Sequence, residues 1–368
     1  MATPDKVAIR AEADRLYDAL LDTGAQGVDT DVLMPAGAFL DLYGEDIRAR
    51  AYVTQDPIRG EMMLRPDFTL PVVQMHMAGG ADPARYCYRG EVFRKQDHVA
   101  ARASEYLQVG YEIFARDNAA ESDAEVFALF ARLLAPLDLR PATGDLGLIM
   151  SAIRGLRTSD RRKAALLRHV WRPRRFRALL DRFGGRNPIS PARIALLDRL
   201  RADAPEALMS AAGPSIGLRE PSEIAARATA LLEDAGTSPL SAAEAGMLDD
   251  LLSLTGTATQ ALAHLRDLSV DMPAIAPAVD RFADRLSSLA ARGVDVDHLP
   301  FEASHGRSTL EYYDGFVFSF HADRAGWPPV ATGGRYDALT EVLGQGRAIP
   351  AVGGIFRPAL IAELKGAA

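Results

Sequence analysis

Cysteine is almost absent from this sequence: Cys87 is the only one in 368 residues. A single thiol closes no intramolecular disulfide and builds no thiolate metal cluster. Uninterrupted apolar runs of about 18 residues are also missing, so no segment reads as a membrane-spanning helix. The N-terminus, MATPDKVAIRAEADRL, meets charge at once and lacks the apolar stretch of a secretory signal. We therefore expect a soluble, cytoplasmic protein. The seven histidines form no His-x-x-x-His or His-Glu-x-x-His pair, which argues against a zinc site. Neither Gly-x-Gly-x-x-Gly nor Gly-x-x-x-x-Gly-Lys-Ser/Thr occurs, which disfavours Rossmann and P-loop nucleotide binding. One Gly-x-Ser-x-Gly string, Gly213 to Gly217, follows no strand-like run and reads as a loop rather than a nucleophile elbow.

What is present is the composition of a folded protein, 48% hydrophobic and 25% charged. The length suits two or three domains, or one large domain carrying an insertion. A net charge of −7 hides an asymmetry. The window Arg154–Arg201 holds 15 Lys and Arg against 3 Asp, leaving the remainder of the chain at −19. Such a block invites a nucleic-acid reading. Its arginines alternate with apolar residues at helical spacing, and few aromatics, Trp171 and Phe176 among them, are interleaved to stack on bases. A solvated basic face, or one docked on an acidic partner, is the competing reading.

Residues 4–23 carry Ile9, Ala13, Leu16, Tyr17 and Leu20 in a helical rhythm that ends at Thr23-Gly24. From Ala51 to Phe114, the runs AYVTQD, GEMMLRPDF, RYCYRGEVFR and SEYLQVGYEIF predict strands of an antiparallel sheet. Ser122 and Glu125 form a capping-box pattern ahead of Val126, Leu129, Phe130, Leu133 and Leu134. The stretch 145–295 predicts mostly helix, and strand character returns at 308–322, then in PPVATGGRYDALTEVLG and in IPAVGGIF. Gly333-Gly334, taken alone, reads as an ordinary turn entering a helix at Ala338–Leu343. The predicted plan is α+β: a sheet flanked by helices at 1–140, a mainly helical insertion at 141–298, and last strands with a C-terminal helix at 299–368.

The informative feature is polar residues inside strand-like runs. In Gln108-x-Gly110-x-Glu112 the period of two puts all three on one face of a sheet. Carboxylates together with an arginine and nearby tyrosines suit a zwitterion, an acid meeting an ammonium or imidazolium and a guanidinium meeting a carboxylate. A salt-bridge network on an exposed face would give the same pattern.

Six strings then occur in order: Tyr43-Gly44-Glu45, Leu64 to Thr69, Tyr88 to Arg94, Gln108-x-Gly110-x-Glu112, Leu310 to Phe318, and Gly333 to Asp337. Together they resemble the catalytic core of histidyl-tRNA synthetases, over about residues 4–135 and 300–360. The resemblance implies a class II aminoacyl-tRNA synthetase-like fold. Three departures follow. The synthetases' catalytic arginine falls at Ser308, with Arg307 one step out of register. The arginine that ends the third motif falls at Leu360, with Arg357 again displaced. The second motif keeps Arg94, but its Glu is Gln96. Losing a guanidinium that meets phosphate charge typically costs about 2–4 kcal/mol of transition-state stabilisation. The sequence also stops at Ala368, where a synthetase would continue into an anticodon-binding domain.

A synthetase core without most of its ATP clamp resembles the ATP phosphoribosyltransferase regulatory subunits. That resemblance implies a non-catalytic homodimer, assembled with the short-form catalytic subunit into a hetero-octamer at the first step of histidine biosynthesis. It would activate the transferase and pass on feedback inhibition by L-histidine. No cofactor and no metal is implied, and nucleic acid is not the expected partner. Carried over residue by residue, Asp67 and Thr69 would meet the histidine ammonium with Gln108 beside them, and Arg94 its carboxylate. Glu112 and Tyr313 would hydrogen-bond the imidazole, and Tyr336 would close that side. Asp67 is one methylene shorter than the synthetases' Glu and would reach the ammonium through water. The alternative, kept open by Arg94, is a truncated ligase that adenylates histidine. Which pocket or interface holds the regulatory histidine is left open.

Overall fold

Residues 5–43, 50–95, 103–214, 216–307 and 312–366 are described by a computed structural model. The helical rhythm at the start forms α1 (Lys6–Leu21), with Ala13, Leu16 and Leu20 buried and Asp5 capping the Val7 N–H at 2.9 Å. After β1 (Gln26–Gly27), the strands β2 (Leu33–Pro35), β3 (Val53–Asp56) and β4 (Gly60–Leu64) form a separate three-stranded sheet, with α2 (Ala36–Tyr43) between its first two strands. Two of the four early runs thus lie outside the main sheet. The chain next makes helix α3 (Thr69–Met77), which strand-like TLPVVQMHM hides. Pro71 sits in its first turn, where a missing N–H costs nothing.

Strands β5 (Ala84–Phe93) and β6 (Glu105–Phe114) are the long antiparallel pair that the sequence predicts. Helix α4 (Ala119–Leu134) starts earlier than the capping-box pattern suggests. Its cap is Asn118, left-handed at φ 46° and accepting from the Glu121 N–H, while Ser122 is buried inside the helix. Asn tolerates that conformation, so it wins the start site. Strand β7 (Arg140–Asp145) follows.

The middle carries helices α5 (Leu146–Gly155), α6 (Asp160–Arg168), α7 (Pro173–Phe183), α8 (Pro191–Ala202), α9 (Pro205–Ala211), α10 (Pro221–Gly236) and α11 (Ala242–Ser253). Ser215 of the Gly-x-Ser-x-Gly string lies outside the described residues. A short β8 (Thr255–Thr257) precedes α12 (Ala258–Asp271) and α13 (Ala276–Ala291). Then come β9 (Pro300–Glu302), β10 (Phe316–His321), β11 (Ala331–Arg335), α14 (Asp337–Leu343), β12 (Ala351–Phe356) and α15 (Pro358–Gly366).

The main sheet has nine strands in the order β1-β5-β6-β12-β11-β10-β7-β9-β8. Its six central strands, β5 to β7 in that order, are antiparallel throughout, whereas β1 joins β5 and β9 joins β7 in parallel. The last strand therefore returns to the first part of the chain, Gly353 pairing with Glu112. Gly333-Gly334 is not a turn but the interior of β11. A β-carbon on Gly334 would lie 2.7 Å from the Phe316 carbonyl oxygen and 2.9 Å from the Tyr313 ring. The sheet's back is closed by α4, whose Phe127 and Phe130 stack on Phe320 and Phe356.

Candidate functional site

The front of the sheet carries one cross-strand row, Tyr86, Glu112, Gly353, Gly334 and Val317, on five neighbouring strands. The two glycines leave a hollow beside Glu112. Its carboxylate leans over Gly353, and the Tyr313 ring lies over Gly334. Across β5–β6, Gly110 faces Tyr88, whose ring occupies the space a side chain at 110 would need.

Glu112 is fully buried and collects hydroxyl donors. Oε1 accepts from Tyr88 at 2.9 Å and from Thr69 at 3.2 Å, and Oε2 accepts from Tyr336 at 2.5 Å. The Tyr312 hydroxyl donates to Thr69 Oγ1 at 3.5 Å. Burial pushes the Glu112 carboxyl up to about 7, against the opposing pull of the Tyr336, Tyr88 and Thr69 hydrogen bonds. Burial likewise drives Tyr88, Tyr336 and Tyr313 above the usual phenol range, so all three are neutral donors at neutral pH. The result is a carboxyl poised to hold or release a proton beside an array of neutral hydroxyls.

Of the seven residues singled out from the sequence, Thr69, Glu112 and Tyr336 are joined directly by hydrogen bonds. Tyr313 is buried next to them, edge-on to Tyr312 with ring centroids 4.8 Å apart. Asp67 is buried at the head of α3, its Oδ1 accepting from the Leu70 N–H at 3.5 Å. Gln108 is buried two residues before Gly110, and its Oε1 has no hydrogen-bond partner among the described residues. A buried amide oxygen without a donor suits a ligand that brings one. Arg94 is half-buried, and its Nε donates to the Pro66 carbonyl at 2.7 Å. That bond ties it to the turn carrying Asp67. Arg65 anchors the same turn, donating from Nε to Glu91 O at 2.9 Å and lying 4.0 Å over Phe68.

Tyr88 and Tyr312 belong to the site and carry no assigned role in the sequence reading. The signal for Tyr88 was its pairing opposite Gly110, which only the register reveals.

Arg307 does not reach this site. Its Nε donates to the Val170 carbonyl at 2.8 Å, its guanidinium lies 4.8 Å over Phe176 of the insertion, and burial lowers it to about 10. Arg357 donates to the Pro329 carbonyl at 2.6 Å. Tyr43 belongs to α2, and Gly44, Glu45, Gln96, Ser308, Leu310 and Glu311 lie outside the described residues.

The basic window finds carboxylates within the chain. Asp234 of α10 takes Arg162 at 2.7 Å and Arg182 and Arg193 at 3.0 Å. Asp249 of α11 takes Arg177 and Arg186. Five of the window's 15 basic residues thus meet one of these two carboxylates on the chain's own later helices.

A groove of about 490 Å³ opens on the back of the sheet, between α4 and the turn after α13, lined by Phe127, Ala131, Leu139, Pro141, Val294 and Phe320 among others. It lies on the opposite side from Glu112 and gathers no comparable set of buried polar groups. Among the described residues, no three His, Cys, Asp or Glu side chains could hold a metal ion, and no helix is long and apolar enough to cross a membrane.

The histidyl-tRNA synthetase family model matches residues 3–214 and 221–358. The chain is 32% identical over 350 residues to a Sinorhizobium fredii protein named ATP phosphoribosyltransferase regulatory subunit, covering 89% of each. It is 33% identical over 360 residues to a Brucella ovis protein of the same name, covering 89% of this chain and 90% of that one. Among solved structures, a Bacillus halodurans protein described as an ATP phosphoribosyltransferase regulatory subunit/histidyl-tRNA synthetase superposes with a TM-score of 0.66 at 21% identity, covering 97% of this chain and 79% of that one. A histidyl-tRNA synthetase from Nostoc gives a TM-score of 0.64 at 15% identity, covering 99% and 73%. These two likenesses establish the class II synthetase-like fold.

Proposed function

This chain belongs to the family of ATP phosphoribosyltransferase regulatory subunits, and we propose that it acts without catalysis of its own, activating a short-form catalytic subunit at the first step of L-histidine biosynthesis and relaying feedback inhibition by histidine. It would work in the cytoplasm as a homodimer within a hetero-octamer. The observation that carries the reading is the contrast between two sets of groups. The amino-acid side keeps a buried Glu112 ringed by Thr69, Tyr88 and Tyr336, with the unpartnered Gln108 Oε1 nearby. Of the cations displaced from the nucleotide side, Arg307 donates its Nε to the Val170 carbonyl and Arg357 one amino group to the Pro329 carbonyl.

In this reading the ligand imidazole meets Glu112, with Tyr313 and Tyr336 on either side, and its ammonium meets Gln108, Thr69 and Asp67. Arg94 takes the carboxylate. A sensor needs differential affinity between two quaternary states rather than stabilisation of a pentacoordinate phosphorus, so keeping one half of the ancestral site is sufficient.

Calorimetry with L-histidine and an ATP–pyrophosphate exchange assay test the proposal together. We expect histidine binding that Glu112→Gln weakens by about tenfold or more, the loss of a hydrogen bond to a charged partner, and no histidine-dependent exchange. Robust exchange by the chain alone would replace this reading with that of a histidine-adenylating ligase.

A further inference from the structure

Directly behind the site, buried ions form a chain that the pocket itself does not use. Arg335 precedes Tyr336 at the end of β11, and strand alternation sends its side chain to the back of the sheet. There its Nε donates to Asp123 Oδ1 at 3.0 Å, its second amino group to the Ala119 carbonyl at 2.8 Å, and its first to Asp337 Oδ1 at 2.9 Å. The other oxygen of Asp123 accepts from Arg285 of α13 at 3.1 Å, and Arg285 also donates to Asp145 at 2.6 Å. Asp123, Asp145, Arg285 and Arg335 are all buried.

Tyr336 is therefore pinned from both neighbours. Arg335 is anchored below it. Asp337 accepts from the Ala351 N–H at 2.9 Å, and the Asp337 N–H donates to Asp314 at 3.0 Å. Strand alternation turns Tyr336 to the front, where its hydroxyl donates to Glu112.

We propose that Arg285 is a positioning residue for the ligand site: by sharing Asp123 with Arg335 it holds Tyr336 against Glu112, so that helix α13 on the back of the sheet sets the geometry of the pocket on the front. The inference rests on the histidine-site reading for its ligand. Its physical content, a link between a back-layer arginine and a front-layer hydrogen bond, holds in the empty protein. Helix α13 also packs along α4, which carries Asp123. A shift of α13 would thus reach the pocket through one carboxylate, an element that two faces of the molecule bias together.

The test reads Glu112 directly, without ligand. In the full-length protein carrying carboxyl-labelled glutamate, its NMR resonance is assigned by its loss in Glu112→Gln, and its titration midpoint is followed. Asp67, Thr69, Tyr88, Tyr313 and Tyr336 face it and are unchanged in the Arg285 variants. The wild-type midpoint is expected near 7. Arg285→Met should raise the proton affinity of Glu112 at least about threefold, in the direction of Tyr336→Phe, because the Tyr336 hydrogen bond favours the ionised form. In a Tyr336→Phe background, Arg285→Met should add nothing. Arg285→Lys, which keeps one cation between Asp123 and Asp145, should fall between, and it decides the matter if Arg285→Met does not fold. An unmoved midpoint in a folded Arg285 variant, or full additivity with Tyr336→Phe, would overturn the proposal. A purely structural arginine would lower melting temperature without that pattern. Failure to bind histidine would sink the functional reading and leave this titration decisive for the positioning claim.

Discussion

Gly353 pairs directly across β12 and β6 with Glu112, and the carboxylate of Glu112 occupies the space where a β-carbon on residue 353 would stand. The backbone crowds it too, the Tyr111 carbonyl oxygen lying 2.7 Å from the same point. One methyl group at this position therefore displaces the acid that the whole site is built around.

Gly353→Ala should destabilise the protein by about 1–3 kcal/mol, the usual penalty of overpacking a buried site. It should reduce histidine affinity at least as much as Glu112→Gln does. Chemical denaturation and calorimetry on the same preparation check both. Wild-type affinity in a folded Gly353→Ala protein would show that Glu112 is not where the ligand is held.

The Glu112 carboxyl gives stability a pH dependence with a definite sign. Its folded value is raised, from 4.5 to about 7, so between those values the folded chain keeps a proton that the unfolded chain releases. The associated stability is fully present below about pH 4.5, is lost as pH rises, and levels off above 7; the full swing is on the order of 3 kcal/mol. Buried His76 and half-buried His305 act in the opposite sense. Their lowered values make stability fall as pH drops below 6.5. Subtracting the stability curve of Glu112→Gln from that of wild type cancels the histidines. That difference should decline from about pH 5 to about pH 7 and then stay flat, and a flat difference throughout would mean that Glu112 ionises normally.

In the insertion, Asp234 and Asp249 look alike in sequence but are embedded differently. Asp234 pairs with the buried Arg162, which also donates to the Ser238 and Thr237 carbonyls, whereas the arginines on Asp249 are well exposed. Asp234→Ala should cost about 3–5 kcal/mol, because it strands a buried cation, and Asp249→Ala less than about 1 kcal/mol. Limited proteolysis of residues 154–240 together with urea denaturation will separate the two. Equal effects would show that the interlock is surface electrostatics only.

The same interlock bears on nucleic acid. With Arg162, Arg177, Arg182, Arg186 and Arg193 already facing carboxylates, we expect weak tRNA binding. Its log affinity should change little with log salt, compared with the slope of about −0.9 per phosphate that a duplex-binding face would give. A steep slope in a filter-binding titration would reverse that expectation.

How much of this was legible in the sequence depends on whether the cause is local. Strand alternation put Gln108, Gly110 and Glu112 on one face, and they are there, because a period of two is a property of the strand itself. Strand character in the run around 333–334 was legible, but the two glycines taken alone read as a turn, since the reason for glycine there lies in Phe316 and Tyr313, which only the sheet brings near. Tyr88 escaped notice as a donor for the same reason, its place being set by register with Gly110. The start of α4 at Asn118 was lost to a better-looking capping box at Ser122. Helix α3 was hidden by β-branched residues and Pro71, whose helix is held by burial of Leu70, Val72 and Val73 rather than by propensity. The basic window suggested a partner, and for five of its 15 basic residues that partner is the chain's own Asp234 or Asp249, far along the sequence and invisible to a local count.

The central claim is that this chain lends activity to another polypeptide. The most direct measurement is the initial rate of a short-form ATP phosphoribosyltransferase, with and without an equimolar amount of this protein, repeated across a series of L-histidine concentrations. The account predicts a rate that rises sharply on addition and falls again as histidine is raised. A rate that is indifferent to the added chain, at every histidine concentration, would contradict it.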